Sequence, residues 1–340
     1  MESMPGSTGP AGRGAGSHPS DFWRWMLALA AGFSLPVLAC YGLIVVSAVG
    51  LRLLSTNVTG QIPTTTQDTG FGAAVGLIHV DGLIVEQRSP LDSSASTSAL
   101  EITDHIRQAA ADPNVRSLLV VVNSPGGSVV ASDEIYHALT QLDKPIVVSM
   151  GELAASGGYY VSAAADWIVA NPNSLTGSIG VISEFPSAAG LLEKIGVDFI
   201  VITSGPRKDF GSPYRDMTRE ERRYWQVIVD EVYDGFVGVV AEGRGLSEAA
   251  VRELADGSVY TGRQALSLGL VDQLGYQEDA LAKAAELGGI EGEPRVIEYQ
   301  TVPTFLDLLR FAFSRSALPS VEEVMAWIGH PTLSARWLGP

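Results

Sequence analysis

The chain has 340 residues, enough for one large domain or two ordinary ones. Its formal net charge of −16 excludes a nucleic-acid partner, which would need a clustered basic face. A single cysteine, Cys40, excludes an internal disulfide framework and a cysteine-rich zinc cluster, and the expectation is a protein without metal or cofactor.

Residues 1–21 are rich in Gly, Ser and Pro and read as disordered. Segment 22–51 reads as a transmembrane signal anchor, because Met26 to Leu51 carries no charged residue. Those 26 residues exceed the roughly 20 needed to cross the hydrocarbon core. They are also too many for the apolar stretch of a cleaved signal, about 7–15 residues. Trp23 and Trp25 suit the membrane interface, and Pro36 is tolerated in such a helix. The flanking charges Asp21, Arg24 and Arg52 nearly balance, so charge alone does not set the orientation. Cys40 ends a "VLAC" stretch that loosely resembles a lipidation site. The apolar run continues to Leu51, however, and the thiol reads as membrane-buried.

Residues 52–72 form a polar tether, and structured patterning begins with the strand "AAVGLIHVDGLIV" at 73–85. A Ser-rich loop (87–98) and a helix ended before Pro113 follow. "SLLVVV" (117–122), "PIVVSM" (145–150), "DWIVAN" (166–171) and "DFIVIT" (198–203) read as further strands. Helical segments lie between most of them, as at 129–142. Apolar strands alternating with helices imply an α/β fold with a mostly parallel sheet covered on both faces. Thr218 and Glu221 form a capping box that opens a long helix to residue 245. The tail, 291–340, is split by Pro303, Pro319 and Pro331 and reads as short amphipathic helices.

"GELAASGGYYVSAAADW", 151–167, places Ser156 among small residues at the mouth of a helix. Small residues there let backbone and ligand approach closely, and a helix N-terminus offers unpaired N–H groups to a developing anion. A serine nucleophile needs a proton acceptor within hydrogen-bond reach. None of His18, His79, His105, His137 and His330 sits at a spacing that suggests an acidic partner, and each reads as structural. Of the four lysines, Lys144 precedes a strand, while Lys194 and Lys283 lie on helices. Lys208 alone lies in a Gly/Pro-rich loop directly after an apolar stretch. Loops at the carboxyl ends of parallel strands gather active sites. A lysine acts as a base only where burial lowers its pKa from about 10.4 toward neutrality. On its residues alone, Lys208 fits equally a solvated loop lysine.

Four stretches in order, "VNSPGGSV" (122–129), "GELAASGGYY" (151–160), "LTGSIGVI" (175–182) and "SGPRKDFGSPYRDMT" (204–218), resemble one family. They are similar to signal peptide peptidase A, the membrane-anchored Ser/Lys peptidases of the Clp-protease/crotonase superfamily. "SVYTGRQALSLGLVDQLG" (258–275) resembles that family's closing segment. The resemblance implies a ββα superhelix over 73–290, with Ser156 as nucleophile and Lys208 as general base. It also implies that Ser178 holds the lysine amine, and that Gly126 and Gly127, helped by Gly157, form the oxyanion hole. One copy of the motif set matches the short form, whose catalytic domains assemble into a homo-oligomeric ring. Apolar peptides such as signal-peptide remnants are the implied substrates. The implied location is the cell membrane, single-pass, with the catalytic domain outside the cytoplasm. The alternatives are a crotonase-type acyl-CoA enzyme, using the same glycine hole for a thioester, and a non-catalytic membrane scaffold.

Overall fold

In a computed structural model of the chain, the described residues are 64–68, 70, 72–88, 96–301 and 333–336, all in one compact unit, Ile62–Pro340. The expected anchor, 22–51, and most of the expected tail lie outside them. Among the described residues no helix is long and apolar enough to cross a membrane.

In chain order the elements are β1 (Thr64–Asp68), β2 (Ala74–Asp81), β3 (Leu83–Val85), β4 (Ser96–Ser98), α1 (Ala99–Ala111), β5 (Val115–Ser124) and β6 (Gly126–Ser128). There follow α2 (Val129–Thr140), β7 (Ile146–Ala155), α3 (Gly157–Ser162), β8 (Trp167–Ala170), β9 (Leu175–Gly177), β10 (Ile182–Ser183) and α4 (Ala189–Ile195). The last group is α5 (Arg219–Arg244), α6 (Glu248–Leu254), β11 (Val259–Thr261), α7 (Gly262–Ser267), β12 (Gln273–Leu274), α8 (Gln277–Leu287), β13 (Arg295–Thr301) and β14 (Leu333–Arg336).

The main sheet runs β1-β13-β2-β5-β7-β8-β12, with β9 paired to β7 and β11. Apart from β1 on β13 and β11 on β9, every pairing in it is parallel. Parallel strands covered on both faces are nearly continuous apolar runs, as in Leu118 to Val122 of β5 and Ile146 to Met150 of β7. Alternation sends Ile78, Val80, Leu118, Val120 and Val148 to one face, under α1, α2, α3 and α5. Val75, Leu77, Leu119, Val121 and Val147 go to the other, under the alanines of α8. Each fully buried aliphatic side chain contributes about 1.5–3 kcal/mol. The central strands are therefore a rigid floor, and their carboxyl ends carry the loops described below. The Thr218–Glu221 capping box that opens α5 forms as expected, each side chain accepting from the other's backbone amide.

A second, smaller sheet runs β10-β14-β6-β3-β4 and lies beyond the end of β5. Three expectations are corrected. "DFIVIT", 198–203, forms no strand; Ile200 and Ile202 are 90% and 94% exposed. Its residues have strand-like composition, but no described strand lies alongside to take its backbone hydrogen bonds. In the expected helical tail, residues 295–301 and 333–336 are strands, because β13 finds partners in β1 and β2 and β14 finds them in β6 and β10. The expected tether contains β1, which extends the main sheet.

Candidate active site

Strand β7 ends at Ala155 and α3 begins at Gly157, which leaves Ser156 alone at the junction. Its backbone sits at φ 54°, ψ −117°. A side chain held at such a sparsely populated position costs on the order of 1–3 kcal/mol, and residues of this kind gather at active sites. The neighbouring strand accounts for part of the constraint. Ala155 pairs with Gly177, and the Ser156 amide donates to the Gly177 carbonyl at 2.7 Å. The Ser156 carbonyl accepts the Tyr160 amide at 2.8 Å, committing the chain to helix. Ser156 is buried, and its Oγ has no hydrogen-bond partner among the described residues. Gly157, as the first residue of α3, has an N–H with no partner inside the helix.

Ser178 stands one residue beyond Gly177, as Ser156 stands one beyond Ala155. It too has positive φ, 49°, and its amide donates to the Ser258 carbonyl at 2.7 Å. The structure thus brings the two serines to the ends of adjacent paired strands.

The "SPGG" turn meets the same place from β5. A Cβ on Gly127 would lie 2.0 Å from the Ile84 carbonyl oxygen, so only glycine lets β6 pair with β3. A Cβ on Gly158 would lie 2.8 Å from the Ser124 carbonyl oxygen, so the second glycine after Ser156 lets α3 approach β5. Gly126 departs from expectation. With φ at 94° its amide turns back and donates to Ser124 Oγ at 3.0 Å, while that hydroxyl donates to the Gly82 carbonyl at 2.6 Å. Its N–H is therefore occupied, and Gly126 serves the turn.

Lys208 is exposed, and its Nζ has no hydrogen-bond or ion-pair partner among the described residues. No hydrogen bond joins it to Ser156 within the single chain. Its loop is nevertheless firmly held. Arg215 binds Asp209 through Nε and Nη2, and binds Glu221 with both Nη groups. Arg207 pairs with Glu220 at 3.2 Å and lies over the Tyr224 ring. Phe210 packs on Trp225 and edge-on to Phe185. Arg215 and the cap at Thr218 hold the Glu221 carboxyl well down, at about 2. A pinned loop thus presents Lys208 outward.

A cavity of about 230 Å³ is lined by Val129, Val130, Tyr160, Val181, Val232 and Phe236 among others, and Tyr160 reaches it from α3, the helix that follows Ser156. Tyr160 closes its polar corner by donating to Asp133 Oδ1 at 2.7 Å.

The sequence matches peptidase family S49 over residues 138–291 and the Clp protease family over residues 90–175. It is 47% identical over 196 residues to a candidate protease of Synechocystis, covering 57% of this chain and 70% of that protein. The chain belongs to peptidase family S49. A candidate signal peptide peptidase SppA of Enterococcus faecium is 41% identical over 231 residues, or 67% of each chain. Protease 4 of Salmonella typhi is 36% identical over 80% of this chain, which spans 43% of that longer protein. A candidate protease of Methanocaldococcus jannaschii is 45% identical, and the chain spans 61% of its length.

These relatives make the S49 chain a serine peptidase and select that reading over the acyl-CoA alternative. Two of the histidines among the described residues are engaged elsewhere. His79 pairs with Glu298 at 3.2 Å, and His105 is buried, its Nε2 3.2 Å from Thr301 Oγ1, with burial lowering its pKa. Lys144 donates to the carbonyls of Ala109 and Asp112, and Lys283 lies over Trp167. A larger cleft, about 550 Å³, is lined by His79, Arg88, Glu101 and Glu298 and shares no residue with the serine's surroundings. Sequence reasoning missed Ser124 and Phe236. Ser124 lay inside a quoted motif, but only the fold shows its hydroxyl bridging two backbone groups. Phe236 reaches the cavity from α5 and has no local signal.

Proposed function

We propose that this S49 chain is a membrane-anchored endopeptidase of the Clp-like ββα superhelix class, cleaving apolar peptides with Ser156 and Lys208. The observation that carries it is Ser156 itself: a buried hydroxyl with no hydrogen-bond partner among the described residues, at a strained strand-to-helix turn next to the Gly157 amide, which has no partner within its helix. Neutral Lys208 takes the hydroxyl proton as Ser156 Oγ bonds to the scissile carbonyl carbon. The carbonyl oxygen becomes an oxyanion facing the amides of Gly157 and Gly127, each such donor contributing about 2.7–4 kcal/mol to the transition state. The tetrahedral species collapses, the C–N bond breaks, and the lysine ammonium returns the proton to the leaving amine. Water, deprotonated by the same lysine, then releases the acyl group from Ser156.

The exposure of Lys208 supports a dyad completed on assembly, with the lysine of one copy over the serine of the next. Burial on assembly supplies the desolvation that a lysine base needs. The exposed apolar residues Phe199, Ile200, Val201 and Ile202, immediately before that loop, support the same homo-oligomer. Ser178 holds the lysine amine. The apolar cavity that Tyr160 lines from the helix following Ser156 supports an apolar side chain near the cleaved bond, consistent with signal-peptide remnants as substrates. Residues 22–51 anchor the chain in the cell membrane, with the catalytic unit outside the cytoplasm.

Ser156→Ala and Lys208→Ala are each expected to abolish cleavage of an apolar reporter peptide while leaving thermal unfolding unchanged. Full activity in either variant overturns the assignment. Protection of the domain from added protease on intact cells overturns the topology.

A further inference from the structure

β2 and β13 run parallel but pair only as far as Leu77 and Glu298, although β2 continues to Asp81 and β13 to Thr301. Beyond that pair the two strands part, and the cleft of about 550 Å³ opens between their carboxyl ends, with α1 as its third wall. Thr97 braces it: its hydroxyl accepts the Asp81 amide at 2.8 Å and donates to the Asp81 carbonyl at 2.7 Å. Ligands of open parallel sheets bind in crevices outside the carboxyl ends of the strands, and this is the same sheet edge at which β7 delivers Ser156.

The wall of the cleft holds three carboxylates, Asp81, Glu101 and Glu298, against one guanidinium, Arg88. Arg88 is already committed, donating to the Ser96 carbonyl with the Glu101 carboxylate 3.9 Å away. The cleft therefore has an excess of negative charge and suits a cation. Two polar side chains in the same wall, Ser96 and His105, are each only 4% exposed, yet Ser96 Oγ and His105 Nδ1 have no hydrogen-bond partner among the described residues. Buried polar atoms are nearly always satisfied, so this orphaned pair marks a place where a bound group completes the hydrogen bonds. With His105 Nε2 donating to Thr301 Oγ1, Nδ1 is left as an acceptor. Acceptors beside carboxylates are what an ammonium or a guanidinium requires, since both have only donors. A metal ion does not fit: among the described residues no three His, Cys, Asp or Glu side chains are placed to hold one.

We propose that this cleft binds a lysine or arginine side chain of a peptide substrate, ahead of the apolar stretch that reaches Ser156; the proposal rests on the peptidase reading. The two places are close. Asp81 lies opposite Asn123 of β5, and the next residue, Ser124, lies opposite Ala154 of β7, two residues before Ser156. Neighbouring strands are about 4.8 Å apart, so the ends of β2 and β7 are separated by on the order of 10 Å. An extended peptide rises about 3.3 Å per residue and covers that span in roughly three residues. Signal peptides have the matching order, a basic segment followed by an apolar one. The acidic cleft thus selects apolar peptides that keep a basic end, by lowering KM without touching the bond-breaking step.

The test uses the full-length chain and two reporter peptides that share an apolar core and differ only in a Lys or a Gln ahead of it. The wild-type chain cleaves the Lys peptide with a KM several-fold lower and the same kcat. Glu101→Gln/Glu298→Gln loses that preference while cleaving the Gln peptide as before, and the single variant Glu101→Gln loses part of it. Glu253→Gln/Glu278→Gln, which removes the same charge at exposed positions outside the cleft, keeps it. Equal KM for the two peptides in the wild-type chain, or a Lys preference that survives in the cleft variant, overturns the proposal. A second measurement does not depend on catalysis. Fluorescent Lys peptide binds Ser156→Ala several-fold more tightly than Gln peptide, by anisotropy, and the difference disappears in Ser156→Ala/Glu101→Gln/Glu298→Gln. That difference, found in a chain whose parent has no peptidase activity, sustains the cleft and overturns the peptidase reading. Equal binding of the two peptides to Ser156→Ala overturns the cleft, whatever the activity.

Discussion

The amide of Ser156 donates to the carbonyl of Gly177, 2.7 Å away, and this one bond ties the turn of Ser156 to the turn of Ser178. Both serines adopt positive φ, and Gly177 between the strands does so as well, at 82°. Three constraints of this kind fix where two hydroxyls start from. Ser178→Ala keeps the backbone and removes only the hydroxyl. It is expected to lower kcat on the order of 10²-fold through a misplaced base, with KM little changed. A fall in KM-linked binding with kcat intact, measured by steady-state kinetics, counts against a role in holding the lysine.

Gly158 separates the demands of packing from those of chemistry. Its added Cβ would meet the backbone oxygen of Ser124, which cannot rotate away. Gly158→Ala is expected to destabilise the fold by about 1–3 kcal/mol, the usual range for overpacking. Urea unfolding measures this, and an unchanged midpoint means that α3 and β5 can separate at no cost.

The central strands were legible because burial on both faces leaves a continuous apolar run. The helix start at Ser156 was legible because of the small residues there. "DFIVIT" carries the same apolar signal, yet a strand also needs a neighbour, and composition does not reveal whether one exists. The converse holds for β14: four residues become a strand because Gly126–Ser128 and Ile182–Ser183 leave a gap for them. The occupied amide of Gly126 was hidden for a similar reason. The motif contains both Ser124 and Gly126, but the direction of an N–H follows from backbone angles.

The outward position of Lys208 has a direct consequence. Ser156→Ala and Lys208→Ala chains are each expected to be inactive, but each retains what the other lacks. If the lysine serves a neighbouring serine, mixing the two under conditions that allow subunit exchange restores activity. Random exchange gives about one quarter of the wild-type sites, since each needs an intact serine and an intact adjacent lysine. Absence of recovery, with mixed oligomers shown by mass spectrometry, overturns completion between copies.

The loop that presents Lys208 has an acid limit. Arg215 holds the Glu221 carboxyl down to about 2, from an ordinary 4.5, and also lowers Asp209. A depressed carboxylate contributes stability that is present above its unfolded value and lost as pH falls through its folded value. The anchor is therefore intact above about 4.5 and weakens progressively toward 2. Glu221→Gln is expected to flatten the decline of thermal stability across that window and to lower stability at neutral pH. A variant with the parent's acid profile shows that this ion cluster does not support the loop.

The cavity lined by Val130 and Tyr160 makes selectivity testable with little risk to the fold. Val130 lines it yet is 56% exposed, so a larger side chain there enters the cavity without displacing core. Surface changes of this sort usually shift stability by within about 0.5 kcal/mol. Val130→Phe is expected to lower kcat/KM for peptides with Leu or Phe at the cleaved bond. The loss is on the order of 10-fold or more, about the discrimination that a methylene-sized misfit produces. Peptides with Ala there keep their rate, because a methyl group does not reach the added ring. Equal losses for Ala and Leu peptides place the substrate's side chain outside this cavity.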